Sequence, residues 1–303
     1  MSNFPASAAG MTAGSLGDAI EGSLLSEPDQ YLIQALCRDP PVQIGSAAQT
    51  LPQAIPSGGV NLNAVLYTAA GSGPYPTMLL LHGLPGNEQN LDLAQTVRRT
   101  GWNVLTIHYR GSWGGPGAFR FEHCLQDAAA ALDWIRGAVG QQDLKLDPDH
   151  VVVVGHSMGG FVAAHIAAQR PAIRGAALIS GVDLGWAFGN EADSRSTARV
   201  DENVGVSAGL HILAGTSPQE LANEARVNAL RWRLTNYAVC LADRPVLIVT
   251  SDDGFAEGSN ALAHAIRAVD GTQLAVSHFA ADHSYSDCRI GLQVAVLNWL
   301  TNI

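Results

Sequence analysis

One stretch restricts the fold more than any other: Val151–Gly160, VVVVGHSMGG, followed by FVAAHIAAQR. Four valines in a row suit a strand buried on both faces of a sheet. The residues after Gly160 suit a helix. Between them the chain has room only for a sharp strand-to-helix turn, and Gly155 and Gly159 flank Ser157 in that turn. Such a turn lifts the serine hydroxyl above the sheet edge, next to a helix N-terminus whose amides can hold an oxyanion.

The same rhythm runs through the chain. TMLLLHG, NVLTIHY, AALISG and VLIVTS are short, continuous apolar runs, and VNLNAVLYTA from Val60 alternates as a half-exposed strand does. NEQNLDLAQTVRRTG, FEHCLQDAAAALDWIRG and GSNALAHAIRAV read as helices between them. The alternation predicts an α/β fold: a mainly parallel sheet of about eight strands flanked by helices. QLAVSHF is the last strand and GLQVAVLNWL the last helix.

Two regions stand outside the rhythm. Residues 1–55 read as an N-terminal arm, rich in Ala, Gly and Ser at its start, with a short helix over Asp29–Leu36 stopped by Pro40 and Pro41. Residues 183–243 are too many for a structureless loop, and ELANEARVNALRWRLTNYAVCLA has helical composition. The expected organisation is an arm (1–55), a core (56–182 and 244–303) and an inserted helical cap (183–243).

Hydrophobic residues make up 47% of the 303 and charged residues 15%, enough for a large core and too little charge for a disordered chain. The net charge is −10 with no Lys/Arg cluster, which argues against nucleic acid as a partner. No apolar run is long enough to span a membrane, and the N-terminus does not read as a secretory signal, so the expected location is the cytoplasm. Cys37, Cys124, Cys240 and Cys288 are scattered, without zinc spacing, and read as buried thiols in a reduced compartment. The sequence leaves homo-oligomerisation open.

A hydroxyl nucleophile needs a base, and the base needs an orienting acid. With the serine on a central elbow, acid and histidine follow it in chain order. His283, in ADHSYSD between the last strand and the last helix, has the position of the base; the other histidines lie before the serine or within elements. Asp252 and Asp253 both follow VLIVTS, and Asp253, a little farther from the strand end, is the expected acid. The amides of Met158 and Leu84 are the expected oxyanion donors. Trp113, in the glycine-rich loop YRGSWGGPGAF, is a candidate pocket wall, against a structural loop whose Arg110 pairs with an acid. Trp186, Phe188 and Trp232 in the cap are candidate substrate contacts, against simple core packing.

Gly155-His156-Ser157-Met158-Gly159-Gly160, His82-Gly83 and Asp282-His283 resemble the α/β-hydrolase superfamily over residues 56–303. HYRGSWGGPG and HGLPGNEQNLDLA are similar to the prolyl-oligopeptidase and acylaminoacyl-peptidase subgroup. The resemblance implies a serine triad, no cofactor and acyl-group cleavage. Peptidases of that subgroup carry a large N-terminal propeller, for which residues 1–55 leave no room, and the acid loop TSDDG is slightly short. The expectation is therefore a carboxylic ester hydrolase acting on a small molecule through an acyl-serine. Peptidase or amidase action and acyl transfer by the same residues are the alternatives.

Overall fold

The computed structural model describes residues 27–137, 144–189 and 209–303. The strands are β1 (Gln49–Ser57), β2 (Val60–Thr68), β3 (Tyr75–Leu81), β4 (Asn103–Ile107), β5 (Leu146–His156), β6 (Gly175–Ile179), β7 (Val246–Ser251) and β8 (Leu274–Phe279). The helices are α1 (Glu27–Cys37), α2 (Leu91–Arg99), α3 (Phe121–Arg136), α4 (Met158–Gln169), α5 (Leu184–Gly189), α6 (Pro218–Val227), α7 (Ala238–Leu241), α8 (Ala256–Ala268) and α9 (Arg289–Leu300).

All eight strands form one sheet in the order β1-β2-β4-β3-β5-β6-β7-β8. From β4 to β8 every neighbour pair is parallel, while β2 pairs antiparallel with both β1 and β4. β1 begins ahead of residue 56, where sequence reading starts the core. Its Pro52 and Pro56 masked it as a strand; they are tolerated because β1 is an edge.

The valine run shows why the central strands are apolar throughout. Val151 and Val153 face one layer, with α3, α4 and α8. Val152 and Val154 face the other, with α2 and α9. Burying a Val or Leu side chain contributes roughly 1.5–3 kcal/mol, so a polar residue on either face of β5 would cost heavily.

The described part of 183–243 adds no strand to the sheet. It comprises α5, α6, α7 and two 3₁₀ turns, Leu210–Ile212 and Leu234–Tyr237. Leu184, Leu221, Trp232, Leu234 and Leu241 join the core layer of α3 and α4. Buried Asp183 ties its ends together, accepting from the amides of Trp186 (2.8 Å) and Leu234 (3.0 Å). Glu224 on α6 accepts from the Phe121 and Glu122 amides at 3.0 and 2.8 Å, a carboxylate placed at the positive end of α3. The four cysteines form no disulfide; Cys124 is buried, while Cys37 and Cys240 are exposed and Cys288 half-buried, contrary to the expectation of buried thiols. Among the described residues no helix is long and apolar enough to cross a membrane.

Candidate active site

Four turns meet at the C-terminal edge of the parallel strands, where ligand sites of such sheets gather. The first is the elbow between β5 and α4. Ser157 has φ 57° and ψ −123°, a conformation that costs a non-glycine residue about 1–3 kcal/mol and survives only where its surroundings enforce it. Here its amide donates to Ile179 O at 2.9 Å, and its carbonyl accepts from Gly160 and Val182 at 2.9 and 3.1 Å. A Cβ on Gly155 would strike the Gly159 carbonyl, and one on Gly159 would strike that of Leu81. Both glycines are there because backbone passes against backbone.

The second turn follows β3. A Cβ on Gly83 would stand 2.7 Å from Ser157 Cβ and 3.2 Å from its Oγ, so this loop lies directly against the serine. Leu84 comes next in the chain. Met158 opens α4, where the first amides of a helix have no intrahelical acceptor. Its side chain is buried in the core. His82 is buried, which lowers its pKa to about 4. As a neutral ring it donates Nδ1–H to the Gly83 carbonyl at 2.8 Å, bracing the loop.

The third and fourth turns follow β7 and β8. Asp253, after β7, and His283, after β8, are joined from Oδ2 to Nδ1 at 2.7 Å. The Asp253 carboxylate is 2% exposed, the His283 ring 33%. Burial raises the Asp253 pKa, but hydrogen bonds from His283, Ser180 and the Phe255 amide outweigh it and bring the value down to about 2. An ionised carboxylate only accepts, so His283 donates from Nδ1, the tautomer that in the neutral ring puts the lone pair on Nε2. Phe255 and His156 flank the ring, with centroids 5.2 and 4.7 Å away.

The tryptophans separate. Trp113 is 40% exposed and donates Nε1–H to the Pro85 carbonyl at 3.1 Å, so it stands beside the loop that touches Ser157. Trp186 is half-buried on α5. The Phe188 side chain lies outside the described residues. Trp232 is 0% exposed, wedged against Phe121 and Phe161 at 6.1 and 5.7 Å. It has no surface to offer a substrate: the turn that carries it, between α6 and Leu234, packs inward onto α3 and α4. Arg110 also turns inward, onto Asp127, at 2.6 Å.

Sequence reading missed His156. One residue before the serine, it reads from sequence as a histidine inside an element, yet its ring donates to the His283 carbonyl at 2.7 Å. Its adjacency to Ser157 was the available signal. It also missed the pairing of the glycine-rich loop with residues 210–214: Trp113 N donates to Ile212 O at 3.2 Å and Phe119 N to Ala214 O at 2.9 Å.

Residues 76–261 match the profile of the family described as alpha/beta hydrolase fold. The sn-1-specific diacylglycerol lipase ABHD11 of Xenopus tropicalis is 37% identical over 114 residues, 37% of this chain and 32% of that protein. Acylamino-acid-releasing enzyme 2 of Oryza sativa subsp. japonica is 31% identical over 120 residues, 36% of this chain and 15% of that one. The chain spans about a third or less of the length of the curated relatives it matches. Among solved structures, the carboxylesterase EstE1 from a metagenomic library superposes with a TM-score of 0.58 at 18% identity, covering 96% of this chain and 97% of that one. That likeness shows the fold. With the family profile covering more than half of its residues, the chain belongs to the alpha/beta hydrolase fold family.

Proposed function

We propose that this protein hydrolyses carboxylic esters through an acyl-serine intermediate, with Ser157 as nucleophile, His283 as base and Asp253 as its orienting acid. The observation that carries the reading is the 2.7 Å contact from Asp253 to His283 Nδ1, which leaves Nε2 as base beside the elbow that presents Ser157. Ser157 Oγ attacks the ester carbonyl while His283 Nε2 takes its proton. The amides of Met158 and Leu84 receive the negative charge on the carbonyl oxygen. His283 then gives the proton to the departing alkoxide. Water, deprotonated by the same nitrogen, attacks the acyl-serine and releases the acid and free Ser157.

Residues 183–243 enter this reading as a helical cap. Residues 210–214 hold the loop bearing Trp113 beside the serine, and Trp186 belongs to the same segment. Trp113 and Trp186 are the candidate substrate contacts that keep exposed surface. The relatives named as a lipase and an acylamino-acid-releasing enzyme leave the same triad open to a peptide bond. The reading takes a small-molecule substrate and action in the cytoplasm, with no metal or cofactor invoked.

The test is labelling with a fluorophosphonate, followed by turnover of short-chain alkyl esters. One serine should be labelled, and Ser157→Ala should lose both the label and up to about 10⁶ in kcat with the fold intact. Substantial turnover by Ser157→Ala overturns the reading.

A further inference from the structure

The loop that carries His283 is fastened at three successive carbonyls. Asp282 O accepts from the Tyr285 amide at 3.1 Å, His283 O from His156 Nε2 at 2.7 Å, and Ser284 O from Arg289 Nη1 at 2.8 Å. The Asp282 carboxylate closes the turn through the Ser286 amide and hydroxyl, at 2.8 and 2.7 Å. The outer fastenings come from the loop itself and the helix after it. The one on His283 comes from the elbow, from the residue bonded to Ser157.

His156 is 3% exposed. A carbonyl only accepts, so the bond fixes the His156 tautomer with hydrogen on Nε2. Burial, then the neighbouring His283, lower the His156 pKa to about 3, so the ring stays neutral and keeps that donor at the pH where a histidine base works. The two rings lie 4.7 Å apart, inclined by 45°. His283 is therefore gripped twice: Asp253 holds the imidazole, and His156 holds the main chain from which it hangs. Asp253 holds the ring from the end of a different strand, whereas His156 shares a backbone with Ser157.

We propose that His156 is a positioning residue for the base: its Nε2–H bond to the His283 carbonyl sets the separation of His283 from Ser157. The proposal rests on the triad reading above. Misplacing a reacting group by about 1 Å can cost on the order of 100-fold in rate without weakening substrate binding.

Three variants, measured with a short alkyl ester, test this. His156→Phe keeps a ring and removes the donor. His156→Gln places an amide N–H about where Nε2 stands. His156→Asn has its amide at the level of Nδ1, too short to reach the carbonyl. The expected result is a fall in kcat of about 10- to 100-fold for His156→Phe and His156→Asn, KM within about 2-fold, and recovery to within about 3-fold of wild type in His156→Gln. Where His156→Phe is misfolded by circular dichroism, the Gln/Asn pair decides. Gln above Asn supports the proposal; equal kcat for the two overturns it, as does wild-type kcat in a folded His156→Phe. Ser157→Ala runs alongside. If it retains turnover, the triad reading itself has failed; if it is inactive while the His156 variants match wild type, only the positioning role is lost.

Discussion

Asp252 and Asp253 are neighbours in the chain, yet their carboxylates serve different histidines. Asp253 takes Nδ1 of His283 at 2.7 Å, and Asp252 takes Nε2 of His278 at 3.1 Å. Their surroundings differ as much as their partners. The Asp253 carboxylate is 2% exposed and that of Asp252 66% exposed. Successive side chains leaving a strand point to opposite sides, so one aspartate turns in against His283 and the other out into water.

Asp253→Asn is therefore expected to lower kcat by about 10⁴, because an amide holds the wrong imidazole tautomer and cannot stabilise the imidazolium. Asp252→Asn touches an exposed pair of little energetic weight and should stay within about 3-fold of wild type. Steady-state kinetics on one alkyl ester decide the matter. A larger loss in Asp252→Asn would move the acid by one residue.

The sheet was legible because the central strands announce themselves. A run such as VVVV has no polar alternative, and β5 is covered on both faces. β1 was not legible. An edge strand is half solvated, so Pro52 and Pro56 break no ladder that matters, and its pattern lacks the apolar run that marks the interior. The site divides in the same way. Ser157 and His283 are expected from chain order, and both lie at element ends, after β5 and β8. Trp232 could not be placed that way: an aromatic in a helical segment looks alike whether it faces a pocket or the core, and the decision lies in Phe121 and Phe161, far away in sequence. His156 was hidden for a similar reason, since its partner is a main-chain carbonyl with no side-chain signature.

The inward turn of Arg110 has a consequence for stability. Its guanidinium meets Asp127 at 2.6 Å with both side chains buried, and Asp127 also accepts from the Arg110 amide (2.8 Å) and the Ser57 hydroxyl (2.6 Å). Asp127→Asn leaves a buried cation without its counter-charge and should destabilise the fold by about 3–5 kcal/mol. Arg110→Met with Asp127→Leu removes both charges and should lose less than the single variant. Urea unfolding compares the two. A change below about 1 kcal/mol in Asp127→Asn would show that the ion pair does not hold the glycine-rich loop.

Buried histidines set the acid limit of the fold. Burial lowers His82 and His165 to about 4 and His156 to about 3. Each ring stays neutral in the folded protein while the unfolded chain takes up a proton near pH 6.5. Between those values the unfolded state binds more protons, so stability rises with pH and is complete above about 6.5. As pH falls from 6.5 toward 4, three such rings withdraw up to about 4 kcal/mol per pH unit. The urea midpoint should be flat from pH 8 to 7 and fall steeply by pH 5. His165→Gln, which removes one of the three, should flatten that slope by about one proton. A midpoint unchanged from pH 7 to 5 would contradict this account.

The last expectation concerns the bond that is cleaved. Trp113 offers an exposed aromatic surface beside the loop that touches Ser157, suited to the apolar acyl or alkyl part of an ester. Peptide cleavage next to a free amino terminus would need an acidic group to hold the ammonium; Glu191 and Asp193, the carboxylates that the expected cap segment offers for this, lie outside the described residues. The chemistry adds its own bias. An alkoxide leaves more readily than an amine, which must receive its proton from His283 as it departs. Activated aryl esters report on almost any serine nucleophile and do not discriminate. The informative comparison is kcat/KM for an unactivated alkyl ester against a peptide of the same acyl group. The ester should be the better substrate. A higher value for the peptide would favour the peptidase reading, and Glu191→Gln and Asp193→Asn would then be the first variants to make, since loss of activity on free-amino peptides alone would place the ammonium site in the cap.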